Sequence, residues 1–271
     1  AATPIPIKAA ADSPASKVAV LLQCFVARIG LDGYALSADM AFVGQNAPRL
    51  MRAMFQIFVL RNCGGVSAVL GLARAVEQRQ FPAQSPLRQF VDSPIILRKI
   101  EAQELLSWEH LLALSRQQIE TLLKDPEAAE GAYRALSAFP RLEVEAAAVP
   151  VGGKKLKVSL LIRAQPLNTS TPLWVFLTDL TGEKLLFARP VELRPEEAPK
   201  PISFEAELPM PLQSYCFLNI VHDRLFGVEV NVPLALSGLR LPTNPSTPQP
   251  LNASTPQHLN PSTPQPLRLP R

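Results

Sequence analysis

A chain of 271 residues, 47% of them hydrophobic and with a net charge of +4, has room for two or three domains with real cores. No apolar run approaches the roughly 18–20 residues that a membrane span requires, so no membrane partner is expected. Three scattered cysteines (Cys24, Cys63, Cys216) and three scattered histidines (His110, His222, His258) fit neither a disulfide framework nor a zinc spacing, which leaves no cofactor to expect and suits a reducing compartment.

Residues 1–16 are rich in Pro and Ala and read as an extended lead-in without the apolar core of a signal peptide. They also lack an initiator Met, as an excised piece would. Lys17 to Ile29 carries apolar residues at 18, 21, 22, 25, 26 and 29, predicting an amphipathic helix ended by Gly30. Asp32-Gly33 makes a turn. Ala38 to Arg61 then predicts one long helix with two faces. Met40, Val43, Ala47, Leu50, Met51, Met54 and Phe58 recur at three- and four-residue steps as a buried stripe. Gln45, Arg49, Arg52 and Gln56 recur at the same steps as a polar, cationic one. From the residues alone, an ordinary solvated face is the commoner meaning of such a stripe. Pro48 predicts a kink after Gly44, or a new helix with Asn46 as its N-cap.

Cys63-Gly64-Gly65 breaks the chain, and Val66 to Gln80 predicts a third helix. Pro82 and Pro86 bracket a connector ending in SPLRQF. Residues 17–90 thus form a helical bundle, and residues 1–90 hold nine Lys/Arg against four Asp/Glu. That excess lies where an anion-binding surface would need it, although it is modest.

Residues 91–140 read as a smaller helix–loop–helix unit. It starts at Asp92-Ser93-Pro94, continues through a capping box at Ser115-x-x-Gln118, and ends with a helix from Asp125-Pro126 to about Ser137. Its six basic and eight acidic residues through Arg141 argue against phosphate binding by this unit alone. At Arg141 the period changes from helical to strand-like. Six or seven short strands over residues 141–241 predict an antiparallel β-sandwich of immunoglobulin or fibronectin-III kind. The overall fold class is therefore α+β and multidomain. Lys154-Lys155-x-Lys157 reads as solvated edge charges, and Trp108 and Trp174 as core anchors. PLNTSTPL at 166–173 reads as an insertion in a surface loop. Residues 242–271, with three near-copies of NPSTPQPL, predict a disordered Pro-rich tail.

Phosphate-loop, DExH-type, Rossmann and Ser–His–Asp patterns are all absent, so the chain does not look like an enzyme on its own. TPIPIKAAADSPASKVAVLLQCFVARIGLDGYALSADMAFVGQNAPRLMRAMFQI, with SPLRQF and later VHDRLFG, is similar to the Sec-63-like unit of the large Ski-two-like RNA helicases. The resemblance covers about residues 3–241. PIPIK ahead of LLQ leans to the spliceosomal U5 snRNP branch, which unwinds the U4/U6 duplex in pre-mRNA splicing. QNA leans to the branch in the activating signal cointegrator complex.

What the resemblance implies is a non-catalytic module in three parts: a helical bundle, a helix–loop–helix unit and an immunoglobulin-like domain. It implies a nuclear location, with single-stranded RNA, helicase motor domains and other spliceosomal proteins as partners. The long helix would act as a ratchet, with Asn46, Arg49 and Arg52 touching RNA and Gln45 and Gln56 on the same face. Pro48, Gly64-Gly65 and PLNTSTPL depart from the family pattern, and the RecA-like motor and winged helix are not in this chain. A fragment or a divergent copy, a scaffold that captures proteins without nucleic acid, and a translocation-type Sec-63 module are the alternatives.

Overall fold

The computed structural model describes residues 4–8, 10, 12–91, 93, 97–98, 108–151, 155–207 and 214–236, and shows an α+β architecture of helices followed by two antiparallel sheets. The start at Asp92-Ser93-Pro94, Lys154 and the tail repeats fall wholly or partly outside the described residues. None of the described helices is long and apolar enough to cross a membrane.

Helix α1 spans Pro14–Ala27, three residues earlier than its apolar period suggests, because Ser13 caps it by accepting from the Ser16 amide. The lead-in is tied to it by a two-way clasp, the Gln23 amide exchanging hydrogen bonds of 2.9 Å with both the N–H and the carbonyl of Ile5. The helix stops before Gly30. The left-handed residue that ends it is Arg28 (φ 60°), and its guanidinium donates to the carbonyls of Gln78, Arg79, Arg88 and Val91. Those four bonds offset the cost of a non-glycine residue in that region.

Helix α2 spans Tyr34–Leu60, starting four residues before the expected Ala38 and running through Pro48 without a break. No new helix begins there. Gly44 allows α1 to lie close, since a Cβ at that position would stand 2.5 Å from the Phe25 ring. Helix α3 spans Val66–Gln78 and ends at left-handed Arg79, which stacks over Phe25 and donates to its carbonyl. SPLRQF forms a 3-10 turn over Pro86–Gln89, with Leu87 fully buried.

Helices α4 (Trp108–Ala113), α5 (Arg116–Leu123) and α6 (Pro126–Ser137) follow. The capping box at Ser115 and Gln118 and the cap at Asp125 form as their sequence predicts. Leu111, Ile119, Leu123, Ala129 and Ala132 pack with Leu87 in one small core.

Seven strands complete the fold: β1 Arg141–Val151, β2 Lys155–Gln165, β3 Thr171–Thr178, β4 Leu185–Leu193, β5 Lys200–Glu207, β6 Tyr215–His222 and β7 Glu229–Ala235. One sheet has the order β1-β2-β5 and the other β4-β3-β6-β7, every pairing antiparallel. Alternate residues of β2 (Leu156, Val158, Leu160, Ile162) meet Leu173, Val175 and Leu177 of β3 and Leu218 and Ile220 of β6 in a core the two sheets share. PLNTSTPL is only half a loop, because β3 begins at Thr171 and Leu173 is a core residue. The β2 lysines are not edge charges either. Strand β2 is central, and Lys155 reaches Glu205 of β5 at 3.3 Å.

Strand β3 loses the alternation that β2 keeps, for a physical reason. Its outward-facing Phe176 is as buried as its inward-facing Val175, since Phe176, Leu185 and Val221 pack under Phe55 of α2 and Val66, Val69 and Leu70 of α3. Where α2 and α3 cover the outer face of this sheet, its two central strands β3 and β6 read as nearly continuous apolar runs, while β7 keeps the alternation.

Candidate nucleic-acid interface

Helix α2 rests on the four-stranded sheet through Phe55, whose ring meets Trp174 edge-on at 4.9 Å and Phe176 at 6.2 Å. Ala47 packs with Val26 and Val76 in the bundle core. The buried stripe keeps Val43, Ala47, Met51 and Phe58 of the one the sequence predicts, but it widens towards the sheet and loses two residues. Phe55 is its anchor, while Leu50 (60% exposed) and Met54 (42% exposed) lie on the outside. Both placements keep a helical period. Only the partner surface, the sheet, decides between them, and that surface is far away in sequence.

Arg52 faces inward beside Phe55. Its Nε and Nη2 donate to both carboxylate oxygens of Glu77 at 2.5 Å, its Nη1 donates to Asp223 Oδ1 at 2.7 Å, and Nη2 also reaches the Asp223 carbonyl at 3.0 Å. Asp223 Oδ1 accepts the Trp174 indole N–H as well, at 2.9 Å. The hydrogen bond to Glu77 is the main reason the Arg52 pKa is raised, against the opposing effect of burial. This arginine, expected on the strand-contacting face, joins α2 to α3 and to the turn after β6. The planar guanidinium fork suits two carboxylates at once.

Most of the positive excess of residues 1–90 is used in the same way. Arg28 and Arg88 donate to carbonyls at the ends of α1 and α3, with Arg88 reaching the Ala27 carbonyl at 2.8 Å. Arg79 lies on Phe25. Arg74, 5% exposed, donates to the Leu225 carbonyl, lies over the Phe226 ring and stands 3.5 Å from Glu229. Desolvation by burial is the main cause of its lowered pKa. Cations that gather carbonyl oxygens at helix C-termini act on the negative end of the backbone dipole, not on an external anion.

Arg49 differs. It is exposed and has no partner among the described residues. Gln45 and Gln56 are exposed on the same strip of α2, while Asn46 is half-buried and donates to the Phe42 carbonyl one turn back. The structure brings Gln45, Arg49 and Gln56 together on one open strip, sets Asn46 at its margin, and directs Arg52 elsewhere. Beside them Leu50, Met54 and Ile57 form an aliphatic strip that no described residue covers.

The turn between β6 and β7 is the residue group that sequence reasoning underweighted. Within VHDRLFG, Asp223 holds Arg52, and the Arg224 carbonyl accepts from Gln78 at 3.3 Å. The Phe226 N–H donates to Gln89 Oε1 at 2.8 Å. Gly227 (φ +82°) lies so close under Trp108 that a Cβ would stand 1.7 Å from the indole nitrogen. His222 shapes the turn, its Nδ1 accepting from the Arg224 and Leu225 amides at 2.9 Å, and burial lowers its pKa to about 4. A second seam lies nearby, where the Gly65 N–H donates to the Gly182 carbonyl and a Cβ on Gly64 would stand 1.9 Å from the Glu183 carbonyl oxygen. The signals were present as the SPLRQF and VHDRLFG motifs, but nothing in a sequence says that one motif binds the other.

Residues 1–235 match the family model of the Sec63 Brl domain. The chain is 34% identical over 257 residues to the pre-mRNA-splicing factor brr2 of Schizosaccharomyces pombe, which covers 91% of this chain and 12% of that protein. It is 31% identical over 249 residues to the U5 small nuclear ribonucleoprotein 200 kDa helicase of Homo sapiens, covering 88% and 12%. The activating signal cointegrator 1 complex subunit 3-like protein of Dictyostelium discoideum is 30% identical over 250 residues, covering 88% and 11%. The chain thus spans an eighth or less of the length of these relatives.

Proposed function

This chain belongs to the Sec63 Brl domain family, and from that premise we propose that it is a non-catalytic module of a nuclear RNA helicase of the splicing type. In this reading it guides single-stranded RNA along the outer strip of α2. Arg49 grips phosphate, while Gln45, Gln56 and the carbonyl oxygen of Asn46 add hydrogen bonds that tolerate any base. Arg52 belongs to the joint that holds the strip in place, and it influences RNA only through the fold. The two-sheet unit is read as immunoglobulin-like, a surface for neighbouring proteins of the spliceosome.

The observation that supports this reading best is the isolation of Arg49. Among the seven arginines of the bundle, Arg28, Arg52, Arg74, Arg79 and Arg88 are committed to internal partners; Arg49 and Arg61 are left to solvent, and of these two Arg49 is the one that stands on the strip between two exposed amides. Fluorescence anisotropy of a labelled single-stranded RNA, titrated at several salt concentrations, tests it. Arg49→Glu is expected to weaken binding about tenfold and to lower the salt dependence, with an unchanged circular dichroism spectrum. Equal affinity for parent and variant would defeat the strand guide.

The exposed aliphatic strip of Leu50, Met54 and Ile57 favours a second role beside the first, docking a motor domain or another protein. A partner held through that strip would bind with little dependence on salt and would be released by Ile57→Asp.

A further inference from the structure

Phe42 is 69% exposed and makes no ring contact among the described residues. Of the other aromatic rings of α2, Phe55 is buried on the sheet, Phe58 packs partly against the same cluster, and Tyr34 is exposed in the first turn of the helix, two turns before Phe42. At about 100° per residue, Phe42 falls with Gln45, Arg49 and Gln56 in one strip about 60° wide. The aliphatic residues Leu50, Met54 and Ile57 fall in the next strip around the helix. The outer face of α2 is therefore divided, with the aromatic ring on the side of the guanidinium and the amides.

We infer that Phe42 is a base-stacking platform, so that one strand of RNA lays a base on the Phe42 ring while Arg49 holds a phosphate two helical turns along. The distance between the two positions is about 10 Å of helix, set by a rise of about 1.5 Å per residue. The inference rests on the strand-guide reading and gives it a second, chemically distinct contact. An apolar protein surface closing over Phe42 would also take the Arg49 guanidinium out of water, and no carboxylate on the strip could pair with it. A nucleic-acid strand supplies both missing partners: a π face for the ring and a charge for the guanidinium. Asn46, donating to the Phe42 carbonyl from the following turn, adds a bond to the backbone beneath the ring.

The test compares a fluorescein-labelled oligouridylate with its abasic counterpart, titrated against the full chain and against Phe42→Ala, Phe42→Leu, Phe42→Trp and Arg49→Glu. The stacking platform predicts about tenfold weaker binding of the oligouridylate by Phe42→Ala, a similar loss for Phe42→Leu and parental binding by Phe42→Trp. It further predicts that Phe42→Ala leaves the abasic oligomer and the salt slope unaffected, whereas Arg49→Glu lowers the slope by about one on both oligomers. Parental affinity in Phe42→Leu, or a Phe42→Ala loss that persists without bases, would overturn the platform in favour of plain apolar contact. If Arg49→Glu weakens binding and Phe42→Ala does not, the strand guide stands and the ring faces a protein instead. If the parent chain binds neither oligomer at low salt, the strand guide and the platform both fail.

Discussion

Arg49 and Arg52 stand within one turn of each other on α2, and in the sequence they look like two copies of the same device. One is open to solvent with no partner among the described residues; the other makes four hydrogen bonds to Glu77 and Asp223. The difference shows that a cationic stripe on a helix does not reveal its purpose. A guanidinium is equally suited to an external phosphate and to an internal pair of carboxylates, and only the position of the acids decides. Here one acid is on the neighbouring helix and the other is 171 residues away.

The sharpest break in that comparison comes from charge reversal. Arg52→Glu sets a third carboxylate beside Glu77 and Asp223 and is expected to destabilise the fold by about 4 kcal/mol, read as a lowered urea midpoint. A loss as small as that of an ordinary surface substitution would return Arg52 to the strand-contacting face.

The turn that holds Arg52 brings in His222. Its folded pKa of about 4 lies below the ordinary 6.5, so the neutral ring contributes stability that is fully present above pH 6.5 and is lost as pH falls towards 4. The loss amounts to about 3 kcal/mol by pH 4. His222→Asn, whose Oδ1 can accept as Nδ1 does, is expected to remove that part of the pH dependence. Parallel pH profiles for parent and variant would show that the imidazole is not buried in the neutral form.

Gly64→Ala probes the second seam. Its Cβ would overlap the Glu183 carbonyl, so the helices and the β3–β4 hairpin must separate, at about 2 kcal/mol. An unchanged midpoint would mean that the seam is loose. The smallest effect belongs to Arg49→Ala, expected to change stability by less than about 0.5 kcal/mol while weakening RNA binding. A large loss of stability there would erase the distinction between the two arginines.

The elements themselves were largely legible. Ser115 with Gln118, Asp125 with Pro126, and the strand periods from Arg141 onwards are local signals, and local chemistry satisfied them. The start of α1 was misplaced because the Ser13 cap was overlooked, and its end because a distant group overrode the local rule. Arg28 ends α1 ahead of Gly30 because carbonyls from α3 and the following connector surround its side chain. The candidate site was half legible. Gln45, Arg49 and Gln56 are exposed as their spacing predicts. Phe55 was left out of the buried stripe and Arg52 was placed on the open face because the sheet and Asp223, which hold them, lie more than a hundred residues downstream.

The turn after β6 also sets a timetable. Its bonds to Arg52, Arg74 and Gln89 span 171, 151 and 137 residues, so the bundle cannot reach its final packing until nearly all of the described chain exists. At a synthesis rate of about 5–20 residues per second, α2 leaves the ribosome roughly 10–30 s before Asp223 does. During that interval Phe55, Val69 and Leu70 have no sheet to cover and Arg52 has only Glu77. The nascent bundle thus matures late, and its completion is timed by the last strands to be made.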